Sequence, residues 1–262
     1  VRCIASIRQV LLVFYKYELP YEASQEHEVI ESFIKTENDI LDISQRLSHL
    51  AQDVDTNVPI GRRFYNFPLD GHIIRKARRT LFELFKHFDV HDIVPSHGPG
   101  AVSTKEKLWD KWNFKRMSPR TTRTYPVDAY FYVSPSHVAD ELHRLQAMEV
   151  VESSARVVLV PKDSRGPRLI SCEPLEFQWI QQGLSRAIVK HVEHHPLTKR
   201  RVNFTDQQPN QIAALFGSRN GRYSTLDLKD ASDRVSVGLV QLLFPEPILS
   251  ALLDCRSLST EL

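Results

Sequence analysis

Apolar residues recur at helical spacing through roughly the first 150 residues of this chain, then give way to a mixture of helical and strand-like runs. Val1, Ile4, Ile7, Val10, Leu11 and Phe14 form a first helical stripe. A long helix is predicted from Ser24 or Gln25 to about Asp53, with Val29, Ile30, Phe33, Ile34, Ile40, Leu41, Leu47 and Leu50 inward. Ile73 to Phe88 reads as another, burying Ile74, Ala77, Leu81, Leu84, Phe85 and Phe88. A helix over Ser136–Ala147 precedes two β-rich runs, Arg156–Val160 and Arg168–Ser171, which flank a turn-rich connection and predict a hairpin. Pro174 suits the first turn of a helix running to about Val192. That helix would bury Phe177 or Trp179, with Ile180, Leu184, Ala187 and Ile188. Asn210–Phe216 predicts one or two helical turns, and Asn220-Gly221 a turn. Tyr223–Leu228 reads as a short strand, followed by a helix carrying Val235, Leu239, Leu242 and Leu243.

Composition narrows the class. The 262 residues suffice for one large or two modest domains, and the 42% hydrophobic and 25% charged fractions are ordinary for a globular protein. Cys3, Cys172 and Cys255 are odd in number and far apart, which argues against a disulfide framework or a cysteine zinc site. No apolar run approaches the roughly 18–20 residues that cross a bilayer. The net charge of +2 hides a division. Glu18–Asp55 carries ten acids against Lys35 and Arg46, whereas Lys105–Arg123 carries seven Lys and Arg against two acids. Such asymmetry suits a basic face for an anionic partner, and equally two solvated helix surfaces.

Several stretches carry candidate chemistry. Asp227 is placed at the end of the expected strand, with Asp230, Ser232, Asp233 and Ser236 close behind. Clustered carboxylates suit a hard cation such as magnesium; Ser232 or Asp233 also suits a helix cap. Lys162, Arg165 and Arg168 recur at three-residue intervals on the hairpin, with Arg156 at its base. Such cations can clamp a triphosphate, or keep an exposed hairpin hydrated. Arg75, Lys76, Arg78 and Arg79 form the outer face of the Ile73–Phe88 helix, open to RNA phosphates or to water. Arg62-Arg63-Phe64-Tyr65 mixes cations and rings in a short loop. Trp109, Trp112 and Phe114 lie among basic residues, where they could stack on bases or sit in a core below a basic surface. Pro95–Ser103 is a Gly/Pro loop without the order of a Walker motif. His191 and His195 have the spacing of a metal pair but no evident third ligand.

Thr225-Leu-Asp-Leu-Lys-Asp-Ala-Ser-Asp-Arg-Val-Ser236 resembles the first palm motif of replicases from small positive-strand RNA bacteriophages of the levivirus type. Val158-Leu-Val-Pro-Lys-Asp-Ser-Arg-Gly-Pro-Arg-Leu-Ile-Ser-Cys-Glu-Pro174 resembles a finger motif of the same replicases, and His97-Gly-Pro-Gly-Ala101 is similar to another of their short stretches. The resemblance implies an α+β fold: the fingers and incomplete palm of a right-hand polymerase with a helix-rich N-terminal half. Residues 1–150 would be the helix-rich region, 151–210 fingers with the basic hairpin, and 211–262 the start of the palm. It implies RNA-templated RNA synthesis for replication of a viral genome, with RNA and nucleoside triphosphates as partners and two magnesium ions as cofactors. Asp227 would be catalytic and a metal ligand, Asp233 would lie near the ribose, and Lys162, Arg165 and Arg168 would bind the nucleotide. Host translation elongation factors would be partners, in the cytoplasm of the infected bacterium.

The Gly-Asp-Asp of that family, which supplies further metal ligands, does not occur in this sequence. The expectation is therefore a fragment of a longer replicase, inactive alone. The alternatives are a non-catalytic RNA-binding protein using the basic helix and hairpin, and a helical interaction module in which the Asp227 region is a capped helix.

Overall fold

The computed structural model describes residues 2–12, 20–55, 71–163, 166–228 and 231–262. Val1, Phe14, the Arg62–Tyr65 stretch, Arg165 and Asp230 lie outside these, as does the side chain of Leu50. Three helices open the chain: α1 (Arg2–Leu11), α2 (Ala23–Asp55) and α3 (Gly71–Phe85). A short strand β1 (Arg116–Met117) leads to the short helices α4 (Pro119–Thr124), α5 (Val127–Tyr130), α6 (Pro135–Asp140) and α7 (Leu142–Gln146). β2 (Glu149–Val150) runs parallel to β1. Then come the hairpin strands β3 (Ala155–Asp163) and β4 (Gly166–Cys172), and the helices α8 (Leu175–His194) and α9 (Gln208–Asn220). The helices α10 (Val237–Leu243) and α11 (Ile248–Asp254) follow, and β5 (Thr260–Glu261) adds a parallel third strand beside β3. The mixture of helix and sheet is that of an α+β protein.

The core is organised around α8. Pro174 precedes its first residue, where a missing N–H costs no helical hydrogen bond. Phe177 and Trp179 are both buried, although spacing offered one or the other, because α8 is covered on more than one side. The Trp179 indole N–H donates to the Tyr130 carbonyl at 2.8 Å, so the buried ring leaves no polar orphan. Leu84, Phe85, Val90, Ile93, Phe114, Tyr125, Phe131, Ile248 and Ala251 join Trp179, Ile180 and Leu184 in one cluster. Burying each large apolar side chain there contributes about 1.5–3 kcal/mol. α4 and α11 are joined by polar contacts. Thr121 Oγ1 donates to Asp254 O (2.6 Å), while Arg123 and Thr124 donate to the Asp254 carboxylate (3.0 and 2.7 Å).

α2 links distant parts of the chain. It packs along β4 and against α10, and α10 also touches α3. Gly238 makes the α2–α10 approach close. Its N–H donates to Ser44 Oγ (3.0 Å), and Ser48 Oγ donates to Gln241 Oε1 (2.6 Å).

Three expectations are corrected. Tyr223–Leu228 is not a strand; it is irregular and exposed, with Leu226 91% accessible. No described strand lies beside it, and β-propensity expresses packing against such a neighbour. The cap of the following helix is Ser236, whose Oγ accepts from Leu239 N–H (3.2 Å), not Ser232 or Asp233. The Ser136–Ala147 helix breaks at Glu141, whose φ of −102° and ψ of 13° end α6 and begin α7. The first stripe forms α1 as expected, with Ile4, Ile7, Val10 and Leu11 all exposed.

Candidate nucleotide and RNA site

The hairpin is built by local sequence. β3 and β4 pair antiparallel, Arg156 opposite Cys172 and Val160 opposite Arg168. The register then shifts, so that Asp163 opposes Gly166. Pro161 has no N–H for the ladder, and Pro161 with Lys162 stands against Pro167 alone, a bulge. The Lys162 N–H leaves the ladder and donates to the Tyr21 hydroxyl at 3.0 Å. Lys162 and Arg168 are exposed, and neither side chain has a hydrogen bond or ion pair to a described residue. Arg156, at the base, is half-buried. The hairpin's foot is fixed, because Ala155 and Arg156 also pair with Thr260 and Glu261 of β5.

Asp227 is exposed on the irregular segment after α9. That segment is aimed by Gly221, whose φ of 68° caps α9 in left-handed geometry, its N–H donating to Gly217 O (2.9 Å). The chain then passes over Gly217, where a Cβ would meet Tyr223 O at 2.5 Å. Asp233 is exposed and accepts from Ser232 Oγ (3.1 Å), while Arg234 lies 3.9 Å from Asp39 of α2. The hairpin and the helix that follows the Asp227 segment are therefore mounted on the same long helix, one through β4 and the other through α10. Among the described residues no three His, Cys, Asp or Glu side chains converge on a metal position. Asp227 is a suitable oxygen donor, but the described residues do not complete the roughly six-oxygen shell of magnesium.

On α3, Arg75, Lys76 and Arg79 are exposed, while the Arg78 guanidinium donates to Leu242 O at 2.7 Å, in the last turn of α10. A cation there is favoured by the helix dipole. The aromatic cluster divides: Phe114 is buried, whereas Trp109 and Trp112 are 73% and 69% exposed. His191 and His195 pack their rings together, His191 against Phe85 and Phe88 with Nε2–H donating to Leu84 O (2.6 Å). They border a cavity of about 740 Å³, lined also by His87, Asp89 and Arg186, none of which belongs to the hairpin or the Asp227 segment.

Sequence reasoning missed Lys111. It looked like one surface cation among several, yet it is buried, with Nζ donating to Gly98 O (2.8 Å) and Gly100 O (2.6 Å). It clamps the His-Gly-Pro-Gly-Ala loop, which Arg186 also holds through Ser96 Oγ and Val94 O. Gly183 of α8 lets the loop approach, since a Cβ there would lie 3.0 Å from Pro95. His97 sits in this loop with its ring 4.4 Å from that of Trp179, and both its nitrogens are buried without partners. Burial, and secondarily the Lys111 cation, lowers its pKa to about 4. The unfolded chain then binds more protons than the folded one between roughly pH 6.5 and 4, so stability falls as pH drops through that window. His97→Phe keeps a ring and removes the proton. Urea titrations at pH 7 and pH 5 are expected to show a smaller acid loss in this variant; equal losses would exclude His97 as the group responsible.

Over 216 residues the chain is 29% identical to the RNA-directed RNA polymerase subunit beta of Qbeta virus (strain MX1), covering 79% of this chain and 35% of that protein. It is 27% identical over 237 residues to the protein of the same name from Enterobacteria phage SP, covering 87% and 37%. With Escherichia virus Qbeta the identity is 26% over 196 residues, covering 74% and 32%. The chain thus spans about a third of the length of the curated relatives it matches. The model of the family described as RNA replicase, beta-chain, matches residues 21–262, and the chain belongs to that family.

Proposed function

We propose that this chain is the fingers and the start of the palm of a polymerase that copies RNA into RNA for replication of a phage genome. The observation that carries the reading is the mounting of two family-like stretches on one helix. α2 holds the basic hairpin through β4 and the Asp227 segment's helix through α10. In this reading Lys162, Arg165 and Arg168 neutralise the incoming triphosphate. Arg can grip two phosphate oxygens at once, while Lys acts as a point charge. Asp233 lies near the ribose. Asp227 is one carboxylate of a magnesium site whose other ligands come from elsewhere in the protein. When bound, magnesium would lower the barrier by charge stabilisation at the reacting phosphate. Arg75, Lys76 and Arg79 face RNA phosphates, whereas Arg78, expected with them, holds the last turn of α10. Host translation elongation factors are proposed partners, and the host cytoplasm the place of action. No described helix is long and apolar enough to cross a membrane.

The test is nucleotide incorporation by the full-length protein on an RNA template. Lys162→Ala and Arg168→Ala are each expected to raise the KM for nucleoside triphosphate about 10- to 100-fold, the loss of one charge-assisted contact. Unchanged nucleotide kinetics in both variants removes the hairpin from the site. The 262 residues alone are expected to incorporate nothing, since no three candidate ligands converge on a metal position among the described residues. A full-length protein that binds RNA and makes none would replace this reading with non-catalytic RNA binding.

A further inference from the structure

Trp109 and Trp112 are placed outward by a residue that points inward between them. The chain makes a single 3-10 turn at Leu108–Asp110, and Lys111 then buries its ammonium against the carbonyls of Gly98 and Gly100. With that side chain anchored, its neighbours on either side project to solvent. Trp112 is braced at one edge: its ring meets His97 at 4.9 Å and Trp179 at 5.6 Å, both nearly perpendicular. Trp109 carries the Lys107 ammonium 5.2 Å from its ring centroid. Lys105, Lys107 and Lys115, close to the tryptophans in sequence, are exposed, and none forms an ion pair with a described residue. Glu106 and Asp110 are the acids of the stretch, outnumbered by its cations.

Two exposed indoles are an expense in water unless something covers them. Tryptophan is common in protein interfaces, but lysine is depleted there. Exposed rings in a stretch of exposed lysines instead match single-stranded nucleic acid, whose bases stack on rings while its phosphates meet the cations. We propose that Trp109 and Trp112, with Lys105, Lys107 and Lys115, form a stacking platform for single-stranded RNA, separate from the nucleotide-binding hairpin. This rests on the polymerase reading for the identity of the strand. A duplex hides its base faces, so the platform distinguishes single from double strands, and it tolerates any sequence because every base has a flat face.

The experiment uses full-length protein and labelled 12-nucleotide RNA, single-stranded or paired with its complement. Binding is followed by anisotropy across a salt series. Trp109→Ala and Trp112→Ala are each expected to weaken single-strand binding about 5- to 150-fold, the range for losing one stacked base. Duplex binding and the salt slope should hardly change. Trp109→Phe and Trp112→Phe should recover most of the affinity. Lys107→Ala with Lys115→Ala should flatten the salt slope for the single strand by about 1.4. In synthesis, the tryptophan variants should need more template for half-maximal rate. Wild-type affinity in both alanine variants overturns the platform, as does equal weakening of duplex and single strand. That failure is distinct from failure of the polymerase reading, in which the unmodified protein makes no RNA whatever its rings do.

Discussion

Asp227→Asn in the full-length protein is expected to lower nucleotide incorporation by about a thousandfold or more while RNA affinity stays within twofold of wild type. Removing a single preorganised electrostatic group from a reaction centre costs about 100- to 1,000-fold, and an anionic ligand to a divalent ion lies at or beyond the top of that range. Asparagine keeps the size and one oxygen of aspartate but removes the charge, so the loss reports charge and not shape. Folding should be untouched, since Asp227 is exposed and exposed substitutions usually change stability by less than about 0.5 kcal/mol. Three measurements suffice: incorporation with saturating template and nucleotide, RNA affinity, and thermal midpoint. Wild-type synthesis by Asp227→Asn would end the assignment of this carboxylate to the reaction. Asp233→Asn provides the contrast, because a residue near the ribose should raise nucleotide KM more than it lowers kcat.

The sequence was most informative where structure is decided locally. The hairpin followed from two β-branched runs around a turn, and even its bulge can be traced to Pro161, which has no N–H to give. α2, α3 and α8 followed from helical spacing, although Ile34 and Leu41, expected inward on α2, are exposed, and α8 is covered on more than one side. Local signals failed where a distant partner decides. Ser232, Asp233 and Ser236 are all good caps by type, and the packing of α10 on α2 selects Ser236. Tyr223 and Thr225 favour strands, yet they lack a described neighbour to pair with. Trp109, Trp112 and Phe114 lie within six residues of one another, and contact with Trp179 and Phe131 goes with the burial of the last of them. Lys111 is indistinguishable by type from the exposed lysines around it until two carbonyls, from a loop earlier in the chain, are placed over it. For the candidate site, residue types and their motifs were legible. Their common support on α2 was not, since the elements that pack on that helix lie far from it in sequence.

That brace yields the second large effect. At Gly238 a Cβ would sit 2.0 Å from Ser44 O and 2.8 Å from Ser44 C. Both atoms belong to the backbone of a 33-residue helix, so no side chain can swing aside to make room. Gly238→Ala must push α10 away from α2. That stretches the Gly238–Ser44 and Ser48–Gln241 hydrogen bonds and lifts Leu242 from a site where it is 1% exposed. Overpacking ordinarily costs about 1–3 kcal/mol, and a clash with backbone belongs at the upper end. Alanine's better helix propensity returns up to about 1 kcal/mol, leaving a net loss of about 2 kcal/mol. Hydrogen exchange at the α10 amides should then quicken about 30-fold. Synthesis should fall tenfold or more, although Gly238 belongs to neither the hairpin nor the Asp227 segment, if the packing of α10, which follows that segment in the chain, holds it in place relative to the hairpin. Gly100→Ala is the control: a Cβ there meets nothing within 4 Å, and exchange should match wild type. If Gly238→Ala loosens α10 but leaves synthesis intact, α2 supports the fold without registering the hairpin against Asp227, and the two stretches need some other common support to act on one nucleotide.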